Sequence, residues 1–282
     1  MKPIDMGGRK NFFSAEDFEG NHGQGRFVIL AGSRLRLTTL AEGLGNVVIR
    51  NHPRGFDLIL GSYDSPGGRP CDVALVCTGI GAPSFDAVFH HLVRAGARRF
   101  IRLGTCGSLQ PHLIRTGDVI IAAAAYRDEG ASASYIHTPF PAIASPCLVN
   151  FAQTTAADTS LRGHVFTGIV HTKDSLFARE FHLSLLASND TLIEELKSAG
   201  ILASDMETSH FYILSSLLSY QASEQYAQPE KAIQSLSILA VVGDDTPFSA
   251  DSAAIDLAER RAAELCFGLI ARWDRESIIG GC

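Results

Sequence analysis

Phe100-Ile101-Arg102-Leu103-Gly104-Thr105-Cys106-Gly107-Ser108 places an arginine near the end of an apolar run and follows it with small residues, two of them glycine. The run predicts a buried strand, and the glycines predict a turn after it. Arginine offers a planar fork of donors that stays charged, and glycine lets main-chain N–H groups come close to an anion. The stretch therefore reads either as an anion pocket at a strand end or as a strand end with a surface arginine.

Working outward, Asp72 to Cys77 is a second apolar strand, and Thr78-Gly79-Ile80-Gly81-Ala82-Pro83-Ser84 turns into a helix with apolar residues at helical spacing. Residues 72–103 thus form a β-turn-helix-β unit, which predicts a parallel pair joined by a right-handed crossover. Phe27–Ala31, Val47–Arg50, Asp57–Tyr63, Gly117–Ala125, 163–172 and Ser235–Val242 read as further strands. Helices are predicted over Asn189–Ala199, from Asp205 through Leu218, and over 251–272. Ser65–Pro70 has hairpin-turn chemistry. Residues 1–25 are polar and glycine-rich, which predicts a loose N-terminal arm before a domain over 26–282. Ser223–Lys231 reads as a surface insertion in that domain. Strands alternating with helices, without a linker between them, indicate one α/β domain.

The 282 residues carry a net charge of -6, which gives no global basis for holding nucleic acid. No apolar run reaches membrane-spanning length and the start has no signal-peptide core, so a cytoplasmic protein is expected. The six cysteines show no Cys-x-x-Cys spacing, and buried free thiols fit them better than a disulfide framework or zinc. Gly79-Ile80-Gly81 lacks the third glycine and downstream acid of a dinucleotide fingerprint, and no Walker pattern or nucleophile elbow is present.

Arg36 and Arg102 fall at or just after glycine turns, and Arg54 lies between strands. Singly each reads as a solvated charge; together they could neutralise a phosphate dianion. Glu207, where a strand passes into a helix, could accept two hydroxyls of a ribose diol, while Asp205 there reads as a helix cap. Asp244 and Asp245 end a fully apolar strand, which suits either a general acid or a turn cap.

Several segments, in order from about residue 26 to 245, resemble the nucleoside phosphorylase family, which holds uridine phosphorylases and hexameric-type purine nucleoside phosphorylases. Gly32-Ser33-Arg34-Leu35-Arg36 is similar to its Gly-x-x-x-Arg, Thr78–Ser84 to its Thr-Gly-Ile-Gly-x-Pro-Ser, and Arg102–Gly107 to its Arg-x-Gly-Thr-x-Gly. Asp205-Met206-Glu207-Thr208 resembles Glu-Met-Glu-(Ser/Ala). Arg127–Ser132 and Phe140–Ala144 look like the uridine branch.

The resemblance implies a single-domain three-layer α/β/α fold with a mixed, partly barrel-like central sheet. It implies phosphate-dependent cleavage of a nucleoside to free base and pentose 1-phosphate, with inorganic phosphate as co-substrate and no cofactor. Gly32, Arg36, Arg54, Arg102 and Thr105 would hold phosphate, Arg54 reaching a neighbouring subunit's site. Thr105, Met206 and Glu207 would hold ribose, and Gly107, Phe177 and Arg179 the base. Arg102, Glu207 and Asp244 would be the catalytic set.

The resemblance also implies a homo-oligomer, either a dimer or a hexamer built as a trimer of dimers. No metal is expected, because Gly55 stands where some relatives carry a glutamate ligand. No nucleic acid or membrane partner is expected. The Gln-x-Arg that reads uracil has no glutamine here, and Asp244 falls near the acid of the purine branch. Uridine and purine nucleosides both stay open.

Overall fold

The computed structural model describes residues 12–65, 68–181, 183–226, 232–244 and 246–278. Its strands are β1 (Phe27–Ala31), β2 (Gly45–Arg50), β3 (Leu58–Tyr63), β4 (Cys71–Cys77), β5 (Arg99–Ser108), β6 (Val119–Asp128), β7 (Ala142–Ile143), β8 (Val165–Lys173), β9 (Ala203–Asp205) and β10 (Gln234–Gly243). The helices are α1 (Arg34–Ala41), α2 (Ala82–Arg94), α3 (Gly130–Ala133), α4 (Pro146–Ala157), α5 (Leu176–Glu180), α6 (Ser188–Ser198), α7 (Thr208–Tyr226) and α8 (Ser252–Ile278).

One mixed sheet runs β2-β3-β4-β1-β5 and then closes on itself through β5-β10-β6-β8-β9-β5. The pairing β10–β5 is parallel and β5–β9 antiparallel, so β5 belongs to both the open part and the closed ring. This matches the mixed, partly barrel-like sheet that the resemblance implies. β4 and β5 run parallel as expected, yet they are not neighbours: β1 lies between them and pairs with both.

Alternation along β5 sets the layers. Arg99 lies over the Phe27 ring, 3.8 Å from its centroid, and Phe27 packs on Trp273 of α8. The next residue, Phe100, points the other way and packs 4.8 Å from Phe89 of α2. Helices therefore cover both faces, α2 with α7 on one side and α8 with α4 on the other. Phe100 is fully buried, and Phe100→Ala should cost about 3–5 kcal/mol. Calorimetry should show a fall in Tm on the order of 10 °C.

Three expectations need correction. Gly104–Gly107 is not a turn, since β5 continues through it to Ser108 with Gly104 paired to Leu239 and Thr105 to Ala240. A Cβ at Gly104 would stand 2.7 Å from Cζ of Arg102, so the glycine vacates room for that guanidinium. Residues 12–25 are not loose: Phe13 and Phe18 are in the core, and the Asn21 side chain both donates to Asp72 O and accepts from Asp72 N–H. Residues 1–11 lie outside the described residues, as do 227–231 of the expected insertion, while α7 continues through Tyr226. Finally, Cys71, Cys77, Cys106 and Cys266 are free and buried, but Cys147 is disulfide-bonded, against the expectation of free thiols; Cys282 lies outside the described residues.

Candidate functional site

The end of β9 and the start of α7 organise the site. Asp205 caps α7 as read from sequence, its Oδ2 accepting from Thr208 N–H (3.1 Å) and Thr208 Oγ1 (2.6 Å). The cap turns the chain so that Glu207, 5% exposed, meets Arg102, 6% exposed. Arg102 Nη2 donates to Glu207 Oε2, and its Nη1 lies 2.9 Å from Asp205 Oδ2. Burial works to lower the pKa of this arginine, but Glu207 and then Asp205 outweigh it and hold the group above its ordinary value.

The other oxygen of Glu207 accepts from Gly81 N–H at 2.5 Å. Gly81 sits at φ 86 in the turn before α2, a left-handed conformation that favours glycine. Gly32, at the end of β1, packs against the same turn, and a Cβ there would stand 3.1 Å from Gly79 O. Gly32, Gly81, Arg102 and Glu207 are thus brought to one place from four distant segments. A carboxylate has about four acceptor positions. Gly81 and Arg102 occupy two, and the rest suit the two hydroxyls of a diol.

Thr105 and Gly107 are half-buried and alternate with buried Cys106 on β5, so they share a face. Burial pushes the Cys106 thiol up strongly, and Asp205, Lys173, Arg102 and Glu180 are all close enough to act on it electrostatically. Met206 is half-buried beside Glu207. Arg36 is directed elsewhere: from α1 its Nη2 meets Glu259 Oε1 of α8 at 2.8 Å. Arg54 is an exposed residue of the β2–β3 loop.

The base end differs most from expectation. Phe177 is 59% exposed, with its ring 5.1 Å from that of Phe181. Arg179 is occupied: Nη2 lies 2.8 Å from Asp128 Oδ2, and Nη1 donates to Asn189 Oδ1. Asp244 accepts from Thr116 N–H at 3.0 Å, which ties the 115–118 turn to the end of β10. Asp245 lies outside the described residues. Asp244→Asn keeps an oxygen for that main-chain bond, so rates on inosine and uridine should change less than about threefold. A much larger loss confined to inosine would restore the acid role.

Sequence reasoning missed Lys173 and Glu180. Lys173, 2% exposed, donates to Ser204 Oγ at 2.7 Å and forms an ion pair with Glu180 Oε1. Glu180 Oε2 lies 3.4 Å from where a Cβ on Gly107 would stand. Lysine after an apolar strand reads as the point where the chain meets solvent, whereas Lys173 is paired with Asp128 of β6 and is turned inward to Ser204 of β9. Gly81 was visible as a turn residue, but not as a donor to Glu207.

Among the described residues no group of three or more His, Cys, Asp or Glu could hold a metal ion, and no helix is long and apolar enough to cross a membrane.

Residues 26–272 match the family model of the phosphorylase superfamily. The chain is 34% identical over 204 residues to the uridine phosphorylase of Thermococcus kodakarensis, spanning 70% of each chain. It is 28% identical over 202 residues to that of Haemophilus influenzae, covering 69% of this chain and 76% of that protein. Its fold superposes on the crystal structure of uridine phosphorylase from Vibrio fischeri with a TM-score of 0.72 at 27% identity, covering 92% of this chain and 94% of the other. The purine nucleoside phosphorylase of Toxoplasma gondii has the same fold, with a TM-score of 0.73 at 22% identity over 93% of this chain and 94% of that one. With a match over most of its length, and with Arg102, Glu207 and the Gly79–Gly81 turn assembled at one point, this chain belongs to the phosphorylase superfamily.

Proposed function

We propose that the protein is a nucleoside phosphorylase of the uridine phosphorylase type. The observation that carries this is the buried junction of Arg102 with Glu207, which sets a phosphate-side cation directly against a ribose-side carboxylate. In the reaction an oxygen of phosphate forms a bond to C1′ of the ribose as the C1′–N bond breaks. The electron pair of that bond leaves with the base, which takes up a proton from water. No covalent enzyme intermediate is required. The chain's part is to place the two reactants and to balance charge as it develops on the sugar.

In this reading Gly32, Arg36, Arg102 and Thr105 hold phosphate, and Met206 with Glu207 holds ribose. Arg36 would have to exchange Glu259 for the substrate. Gly107 and Phe177 border the base. Asp244 is better placed as a turn staple than as an acid, which favours a pyrimidine-type mechanism over protonation at a purine N7. Inorganic phosphate is the co-substrate, with no cofactor and no metal, and the compartment is the cytoplasm.

A homo-oligomer fits the edge of the sheet. β2 exposes Val47, Val48 and Ile49 at 40–55% on a flank that no strand of the described residues pairs with, next to the loop that carries Arg54. A second copy there would cover the apolar residues and could receive Arg54 at its phosphate site.

The test is release of free base from a nucleoside panel with and without phosphate. Pentose 1-phosphate formed only with phosphate is the expected result. Equal release in both conditions would indicate hydrolysis instead.

A further inference from the structure

Gly107 has no side chain, and a Cβ there would stand 3.4 Å from Glu180 Oε2 and 3.9 Å from the Pro247 carbonyl oxygen. That carboxylate is 11% exposed and is built in rather than draped over the surface. Its Oε1 is engaged by Lys173, which leaves Oε2 on the Gly107 side. Lys173 is in turn fixed by Ser204 Oγ, which also contacts His171 Nδ1 at 2.9 Å. His171 Nε2 lies 3.0 Å from Asp128 Oδ2, and Asp128 holds Arg179. A continuous polar chain therefore runs from Asn189 through Arg179, Asp128, His171, Ser204 and Lys173 to Glu180. Arg179, the cation that sequence offered for the base, is consumed inside this chain; its free end is an acceptor.

We propose that Glu180, positioned by Lys173, reads the leaving base, and that it selects a base presenting a ring N–H beside a carbonyl. This rests on the nucleoside reading above. A carboxylate in an ion pair offers acceptors only. The ring N–H of an oxopyrimidine or a 6-oxopurine can donate to it. An aminopyrimidine or 6-aminopurine turns a ring-nitrogen lone pair toward the same oxygen, and a buried acceptor facing a lone pair is left unsatisfied. Lys173 balances the carboxylate, so no uncompensated negative charge faces a base that departs with an electron pair. Glu180 is thus the specificity-determining group, and Lys173 is a positioning residue.

The test measures binding of uracil against cytosine, and of hypoxanthine against adenine, by calorimetry at saturating phosphate. Phosphorolysis of the matching nucleosides is measured in parallel. The wild type should prefer the oxo member of each pair. Glu180→Gln, which keeps the volume but adds a donor, should shrink that preference by about tenfold to a hundredfold. Lys173→Met should shrink it as well. An oxo-to-amino ratio unchanged in Glu180→Gln, or a wild type that prefers amino bases, would overturn the proposal. A ratio unchanged in folded Lys173→Met would overturn the positioning role. Binding that discriminates as described, without turnover of any nucleoside, would remove the phosphorylase reading and leave the assignment of Glu180 standing.

Discussion

Arg102→Ala is expected to lower kcat/KM for phosphorolysis about a thousandfold, whichever base is offered. The side chain is buried, and both of its terminal nitrogens are engaged by carboxylates at the corner between β9 and α7. Removing it takes away the cation proposed to face phosphate and leaves Asp205 and Glu207 buried without compensation. Breaking such a cluster costs about 3–5 kcal/mol of stability, so the alanine variant is to be paired with Arg102→Lys. Lysine keeps the charge but loses the fork, and a point charge cannot serve both carboxylates in the same geometry. The lysine variant should therefore fold normally and still lose about tenfold to a hundredfold in kcat/KM. Activity close to wild type in a folded Arg102→Lys protein would show that the guanidinium fork is not used in the reaction.

Glu207→Gln should reduce kcat/KM by about a hundredfold, with most of the loss on ribonucleosides rather than on their 2′-deoxy counterparts. One oxygen of Glu207 accepts from Gly81 N–H and the other from Arg102. Glutamine replaces one of those acceptors with an amide NH₂. Whichever way it turns, a donor then faces either a main-chain N–H or a guanidinium, and one grip on the sugar is lost. The ratio of ribo to 2′-deoxyribo rates measures this directly. A uniform loss on both sugars would mean that Glu207 acts by holding Arg102 and not by holding the diol.

Much of the fold was legible because apolar runs specify buried strands. β1, β4, β6 and β10 each contain an apolar run, Phe27–Ala31, Val73–Cys77, Val119–Ala125 and Ile238–Val242, and are buried over most of their length. Adjacency was less legible. The β-turn-helix-β pattern of 72–103 is local, whereas the insertion of β1 between β4 and β5 is a long-range choice that no short stretch encodes. α4 is absent from the sequence reading; its Pro146 occupies the first turn of the helix, where proline is tolerated.

The glycines of 104–107 misled for a physical reason. Glycine signals a turn when it supplies an unusual backbone angle, but Gly104 supplies absent volume inside a strand, next to Arg102. Arg127 shows the converse. It stood in a segment resembling one branch of the family, and the structure uses it as a scaffold, its guanidinium donating to the carbonyls of Ile136, His137, Thr138 and Phe140. Arg102, the Gly79–Gly81 turn and Glu207, which the structure brings together, each lay in a contiguous motif. The Lys173–Glu180 pair depends on β8 turning a lysine inward, so residue order alone did not reveal it.

The shared membership of β5 in the open sheet and the closed ring has one more consequence. Arg102 is braced on both flanks, by Leu30 of β1 and Ser237 of β10, and β9, which leads to Glu207, is held between β5 and β8, as a keystone is held by the arch. The residues proposed to meet the base lie on the short α5 helix, anchored through a handful of side chains. On the proposed reading, exchanging the α5 corner for another would redirect which base is taken, while the part of the site assigned to sugar and phosphate stays where it is.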